Sequence, residues 1–397
     1  MAAAPPAAER PPFDPRDGLA LDALLSEEEL ALRARVRAYV EERFVPRVGE
    51  LFEQARFPRE LARELGELGV LGMHLDGYGC PGGSAVEYGL ACLELEAGDT
   101  GLRTFASVQG SLAMTAIHAW GSEEQKQRWL PPMAAGDAIG CFALTEPEAG
   151  SDPGSMRTTA RRVGGEWVLE GRKRWIGLAS LADIAVVWAR TDDGVRGFLV
   201  PTETPGFTAT DITGKLSMRA SVQCDIALDT VRVGADALLP EARGLRGPFT
   251  CLNEARYGII WGVTGAARSA YETALDYTRE RAQFGRPIAS FQLVQQQLAE
   301  MLIKVARGTL LALHLGRMHD AGRLAPAHIS LGKLDNTREA LTVARTARGL
   351  LGGNGITLEH PVMRHMVNLE APLTYEGTPE IHTLILGHAL TGLRAFS

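Results

Sequence analysis

The residues with the plainest chemical potential lie far apart along this chain. Glu376 sits in Tyr375-Glu-Gly-Thr378, just ahead of a helix start in which Thr378 is the cap and Pro379 the first helical residue. On the residues alone, a glutamate there is either a polar residue preceding a cap or a carboxylate held for acid–base work. Arg103 borders Thr104 to Trp120, a stretch with no acidic or basic residue except His118. So little charge implies burial, and a buried arginine needs an anion, supplied by a protein carboxylate or by a ligand. The glycines of Leu351-Gly-Gly-Asn-Gly355 either let backbone N–H groups approach phosphate oxygens or simply turn the chain between helices. Arg256 is, by itself, an arginine on a helix, open to solvent or to a ligand.

Other chemistries are poorly served. The five cysteines are scattered without a CxxC pair and read as buried thiols, and the nine histidines form no HxH or HExxH pattern, so no metal site is expected. A net charge of −7 without clustered cations predicts neither a nucleic-acid nor a membrane partner. No run approaches the roughly 18 apolar residues that span a bilayer. The Pro/Ala-rich opening lacks the order of a signal peptide and reads as a flexible tail, so a cytoplasmic location is expected.

Three kinds of segment must position these residues. Ser26 followed by Glu27, Glu28 and Glu29 predicts a helix start, Glu60 to Leu71 a further helix ending at Gly72, and Gly77 to Gly83 a break. Between about 140 and 240, short β-branched runs at 167–171, 183–190, 196–200 and 225–233, with Gly164-Gly165 as a hairpin turn, predict an antiparallel barrel or sandwich. Beyond about 246 long helices return, with apolar stripes at Phe291 to Val305, at Ala340 to Leu351, and at Ile381, Leu384, Ile385 and Leu393. The fold class is therefore α+β multidomain: a tail and lead-in over 1–25, an N-terminal helical domain over 26–138, a middle antiparallel β domain over 139–243 and a C-terminal helical bundle over 244–397.

Leu144-Thr-Glu-Pro-Glu-Ala-Gly-Ser-Asp152, Arg281-Ala-Gln-Phe-Gly285, Leu351-Gly-Gly-Asn-Gly-Ile356 and Tyr375-Glu-Gly-Thr378 follow the order and spacing found in acyl-CoA dehydrogenases. The chain resembles that family over nearly its whole length. The resemblance implies a homotetramer with one FAD per subunit, a CoA thioester substrate and Glu376 as the base that takes its α-proton. An α-proton of a thioester is weakly acidic, which suits a carboxylate whose pKa is raised in a water-poor pocket. FAD would accept hydride from the β-carbon, which no side chain can do. By the same resemblance Phe142, Leu144, Thr145 and Ser151 line the flavin or the thioester, and Trp175 and Ile176 lie against the flavin. Arg281 and Phe284 of a neighbouring subunit hold the pyrophosphate and adenine, and Gln292, Gly352, Gly353, Thr378 and Glu380 complete the cofactor site. Arg256 matches the position that contacts CoA.

Asp99 to Gln109, Arg348 to Gly355 and Thr374 to His382 look most like glutaryl-CoA dehydrogenases. Arg103 would then hold the distal carboxylate of a glutaryl chain, with Glu96 bridging to it and Ser107 and Tyr375 beside the acyl chain. Dehydrogenation followed by loss of CO₂ would give crotonyl-CoA, with electrons passed to electron-transferring flavoprotein. The chain departs from the family at Gly177, where a Thr is usual. Some short-chain acyl-CoA oxidases carry Gly there, so an oxidase using O₂, or a non-decarboxylating dehydrogenase of another carboxyacyl thioester, is the alternative.

Overall fold

Serine side chains decide where three of the first helices begin. Ser26, Ser84 and Ser122 each accept a hydrogen bond from the N–H three residues on, while Glu29, Glu87 and Gln125 reach back to the cap's own N–H. In the computed structural model, which describes residues 13–395, these boxes open α1 (Glu27–Tyr39), α4 (Ala85–Gly98) and α7 (Glu123–Ala134). Between them lie α2 (Val45–Gln54), α3 (Leu61–Leu68), a two-residue ladder of β1 (Asp76–Gly77) and β2 (Cys80–Pro81), α5 (Thr100–Ala106) and α6 (Thr115–Trp120). A π-helical stretch, Ser107–Met114, joins α5 to α6. α3 stops short of the expected Gly72. Gly69 takes a left-handed φ of 78° and its N–H closes the last turn, so the helix ends at Leu68.

The middle of the chain forms one seven-stranded sheet from β3 (Gly140–Ala143), β4 (Thr159–Val163), β5 (Glu166–Gly177), β6 (Ile184–Thr191), β7 (Gly194–Pro201), β8 (Phe207–Asp211) and β9 (Gln223–Gly234). The order is β3-β6-β4-β5-β9-β8, with β7 on β6. Most pairings are antiparallel, as expected, but β3 runs parallel to β6 from Gly140↔Ile184 to Ala143↔Val187, and β4 meets β6 in parallel at Thr159↔Arg190. β3 is buried throughout and has no polar alternation, so period-2 patterning does not reveal it. Gly164, at φ 64°, makes the expected hairpin turn between β4 and β5.

α8 (Arg246–Glu280) then crosses the molecule, followed by the ladder β10 (Ala282–Gln283) and β11 (Arg286–Pro287) and by α9 (Gln292–Asp320), α10 (Pro326–Leu350), α11 (Pro361–Thr374) and α12 (Pro379–Thr391). A glycine stripe brings α8 against α4. A Cβ at Gly258 would lie 2.8 Å from the Tyr88 hydroxyl, at Gly262 2.1 Å from Glu96 Oε2, and at Gly265 1.8 Å from the Leu93 carbonyl oxygen. One apolar core joins the N-terminal helices to the sheet, and a second fills the space among α8, α9, α10 and α11.

The lead-in runs along α8, where Arg16 pairs with Asp276 at 2.8 Å and the Tyr271 hydroxyl donates to the Pro15 carbonyl. The rest of the expected tail, residues 1–12, lies outside the described residues. The apolar face expected on the last helix is only partly covered within the chain, with Ile381, Leu384 and Ile385 half-buried. Of α12 only His382 is buried, Leu390 is 85% exposed, and Leu393 falls past the helix end. Four cysteines are buried and unbonded, and Cys80 is half-buried. No helix among the described residues is long and apolar enough to cross a membrane.

Candidate active site

The turn between α11 and α12 carries Glu376 in an uncommon backbone conformation. Glu376 has φ 54° and Gly377 φ 102°, two left-handed residues in succession. Gly377 is required twice over, because a Cβ there would also lie 2.7 Å from His382 Nε2. A non-glycine residue in this region costs on the order of 1 kcal/mol and persists only where its surroundings hold it. Here the surroundings are cations: Lys333 Nζ donates to the carbonyls of Tyr375 (2.6 Å) and Gly377 (2.7 Å), and Arg256 Nε donates to that of Glu376 (2.7 Å). Thr378 then caps α12 by accepting from the Ile381 N–H.

The Glu376 side chain is half-buried, and its Oε2 is enclosed without a hydrogen-bond partner. Burial pushes the carboxyl above the usual range, while Arg103, Lys333 and Arg256 pull it back. The outcome is a carboxylate that is a stronger base than an exposed one, as proton abstraction next to a carbonyl needs.

Arg103 faces this turn from α5 and is 0% exposed. Its Nε donates to Glu96 Oε2 on α4 at 2.6 Å, and its Nη2 donates to the Tyr375 hydroxyl at 2.7 Å. Burial opposes its charge, but Glu96 and Tyr375 more than offset this and hold it ionised. Burial raises the Glu96 carboxyl, and Arg103 draws it back. The cluster is not self-sufficient: Arg103 Nη1, Glu96 Oε1 and Ser107 Oγ are enclosed with no partner. Buried polar atoms are nearly always paired, so three orphans in residues of one cluster mark a place for a ligand with polar atoms of its own. Gly262 makes the cluster possible, since a Cβ there would also stand 3.0 Å from Arg103 Nε.

The sheet supplies another wall. Phe142 and Leu144 are buried and Thr145 is half-buried, at and just beyond the end of β3. Lys173 Nζ donates to the Leu144 carbonyl (3.0 Å) and to Glu146 Oε1 (2.9 Å), and the Arg174 N–H donates to the Thr145 carbonyl (2.9 Å). The β5–β9 register shifts between Lys173 and Ile176, and Trp175 stands in this bulge with φ 61° and 53% of its surface exposed. The bulge turns the indole outward while Ile176 stays buried. At Gly177 a Cβ would meet only Val108, at 3.2 Å. Ser151 is exposed on the turn that follows β3.

The remaining expected residues lie at the surface. Phe284 is 93% exposed at φ 52° between β10 and β11, and Arg281, Gln292 and Glu380 are exposed. Gly352 and Gly353 are also exposed, with nothing near where a Cβ would stand. Tyr277 ties two of these parts together, accepting at its carbonyl from the Arg281 N–H and bonding the Asn354 amide through its hydroxyl (3.1 Å). Arg256, expected at CoA, commits its Nε to the Glu376 carbonyl.

Two lysines escaped the sequence reading. Lys333 and Lys173 are each 1% exposed, and each fastens backbone carbonyls beside expected site residues. A signal existed for Lys333, which follows Ile329 by four residues and precedes Ala340 by seven, so it interrupts the buried stripe of α10.

Models of the acyl-CoA dehydrogenase N-terminal, middle and C-terminal domains match residues 26–137, 141–231 and 242–391. The mitochondrial short-chain specific acyl-CoA dehydrogenase of Bos taurus is 34% identical over 382 residues, covering 94% of this chain and 92% of the relative. A crystal structure of a glutaryl-CoA dehydrogenase from Mycobacterium smegmatis in complex with FADH₂ superposes with a TM-score of 0.96 at 57% identity, covering 97% of this chain and 100% of that one. A second glutaryl-CoA dehydrogenase structure from the same organism gives 0.95 at 61% identity, covering 96% and 99%. FAD fits the residues present here: an outward indole at Trp175, an open glycine turn at Gly352-Gly353, and an exposed Phe284 offer a ring surface, backbone amides and a second aromatic face.

Proposed function

The chain belongs to the acyl-CoA dehydrogenase family and is an FAD-dependent oxidoreductase, and from that premise we propose that it acts on glutaryl-CoA, releasing crotonyl-CoA and CO₂. The observation that carries this reading is Arg103, fully buried with an unpartnered Nη1, one helical turn before Ser107, whose buried hydroxyl is equally unpartnered. A simple alkyl chain would leave both atoms unsatisfied, at a cost on the order of 1–3 kcal/mol for each. A distal carboxylate would accept from both, and a guanidinium is the donor best suited to it. The segments 26–138, 139–243 and 244–397 are proposed as the N-terminal, middle and C-terminal domains.

In this reading Arg103 and Ser107 hold the distal carboxylate, and Tyr375, bonded to Arg103, joins that anchor to the base. Glu376 takes the α-proton. When bound, FAD would supply the acceptor for a hydride from the β-carbon. The C–C bond to the carboxylate of the unsaturated product then breaks, its electron pair is delocalised toward the thioester carbonyl, and CO₂ leaves. The proton on Glu376 is returned to the dienolate to give crotonyl-CoA, so the residue acts as base and then as acid. The acceptor is proposed as electron-transferring flavoprotein and the assembly as a homotetramer, in which the exposed Phe284 and the exposed Leu390 end of α12 would be met by neighbouring copies.

Gly177 favours a second reading, in which a short-chain oxidase passes electrons to O₂. With no side chain there, only Val108 closes on that position. Anaerobic mixing of the FAD-loaded protein with glutaryl-CoA, with flavin bleaching followed and products identified by mass spectrometry, separates these. Bleaching with crotonyl-CoA supports the proposal, and bleaching that stops at glutaconyl-CoA removes the decarboxylation. Bleaching by butyryl-CoA alone removes the carboxylate clamp, and fast reoxidation by O₂ moves the reading to an oxidase.

A further inference from the structure

The chemistry above leaves Lys333 without a task, yet burying a lysine completely demands one. It lies on α10 and directs its ammonium at two backbone carbonyls, those of Tyr375 at 2.6 Å and Gly377 at 2.7 Å. These flank the base. The carbonyl between them, that of Glu376, accepts from Arg256. Three successive carbonyls therefore turn toward two cations, and the turn they hold contains the left-handed Glu376. Both carbonyls accept from the Lys333 amine, which in its charged form sets a cation a short way from the Glu376 carboxylate.

Resting on the reading of Glu376 as the base, we infer that Lys333 is a positioning residue that grips the Tyr375–Gly377 turn by two carbonyls and steadies the ionised Glu376 carboxylate toward the α-proton. The groups facing the ammonium are Glu376 from the turn, Arg256 from α8, Arg103 from α5 and His382 from α12. Burial lowers Lys333, Glu376 draws it back up and the two arginines push it down, leaving it at about 7. His382, driven down to about 3 mainly by its own burial, contributes no charge at neutral pH. Arg103, Lys333 and Arg256 all hold the base's carboxyl down against its burial, so losing one of them raises it further.

The test uses the FAD-loaded enzyme, with anaerobic bleaching by glutaryl-CoA and by butyryl-CoA followed across pH for the wild type, Lys333→Gln and Lys333→Arg. For Lys333→Gln the acidic limb of the rate profile is expected to move up by about one pH unit, with about a tenfold loss of rate on that limb. Half-saturation should change less than about twofold, because the residue acts on proton transfer and not on binding. Lys333→Arg, which keeps the charge, should return the limb to its wild-type position. A glutamine variant with the wild-type limb and rate overturns the inference, and so does one that loses rate only in proportion to lost FAD. If the glutamine variant does not retain FAD, Lys333→Arg decides: a wild-type limb supports the role of the charge, and an upshifted limb despite the charge overturns it. A Glu376→Gln variant that bleaches at the wild-type rate sinks the base reading itself, a failure distinct from all of these.

Discussion

Arg103 and Phe284 stand at opposite extremes of one site. Arg103 is sealed on every side, paired to Glu96 and Tyr375, and reached through three elements of the same chain. Phe284 is almost fully exposed in the turn between two short strands, edge-on to Phe291 with 6.1 Å between ring centroids. The proposed acyl half of the site is thus pre-assembled by the fold, and in that reading its orphaned atoms await the polar atoms of the substrate. The cofactor half is a set of surfaces waiting for other surfaces. A pre-organised half can discriminate between substrates because its donors cannot relax to suit another one. An open half gains its affinity from assembly.

The comparison breaks most visibly at the base. Glu376→Gln should lower anaerobic bleaching by about 10²–10⁴-fold while FAD stays bound, as stopped-flow traces would show. In the wild type the rate should climb with pH, because only the ionised carboxylate takes a proton, and the midpoint should lie above the ordinary glutamate range because burial raises that carboxyl. A smaller effect sharpens the same half. Arg103→Gln should cost about tenfold to a hundredfold in kcat/KM for glutaryl-CoA and far less for butyryl-CoA. Equal losses on both thioesters would mean that Arg103 is only structural.

On the open half, Phe284→Ala should weaken FAD binding a few-fold, at roughly 0.5–1.5 kcal/mol for one lost aromatic contact. If neighbouring copies supply that contact, FAD affinity of the wild type should also rise with protein concentration, and an affinity independent of concentration would count against it. A last effect is on stability, not on turnover. Gly262→Ala forces a methyl against Glu96 Oε2, which should cost about 1–3 kcal/mol and lower the thermal midpoint by several degrees in calorimetry.

Much of the acyl half was legible beforehand for a physical reason. A charge-free stretch beside Arg103 can only be buried, and Thr-Pro after Glu376 can only open a helix. The long helices and the longer strands announced themselves by period. β3 did not, because burial on both faces erases alternation, and neither did its parallel pairing with β6, which depends on residues more than forty positions away. α3 ended early because Gly69, not Gly72, took the left-handed cap. The buried lysines stayed hidden because a lysine is read as a surface residue unless its partners are known, and each of these takes a backbone carbonyl that no residue type advertises. The residues around FAD were legible through resemblance alone, since exposure and glycine content by themselves describe any loop.

The glycine stripe of α8 has a consequence for how acids of different length are told apart. Gly258, Gly262 and Gly265 let α8 meet side chains and backbone of α4 with no slack, and Arg256 on α8 and Glu96 on α4 hold the proposed base and the proposed carboxylate clamp respectively. The two grips therefore belong to one rigid gauge, and the hydroxyl of Tyr375 bolts its ends together. A gauge of fixed span measures carbon chains by refusing those that do not fit. The thioesters of the diacids one methylene shorter and one longer should then bleach the flavin more slowly than glutaryl-CoA, and Gly262→Ala, which loosens the gauge, should narrow that difference.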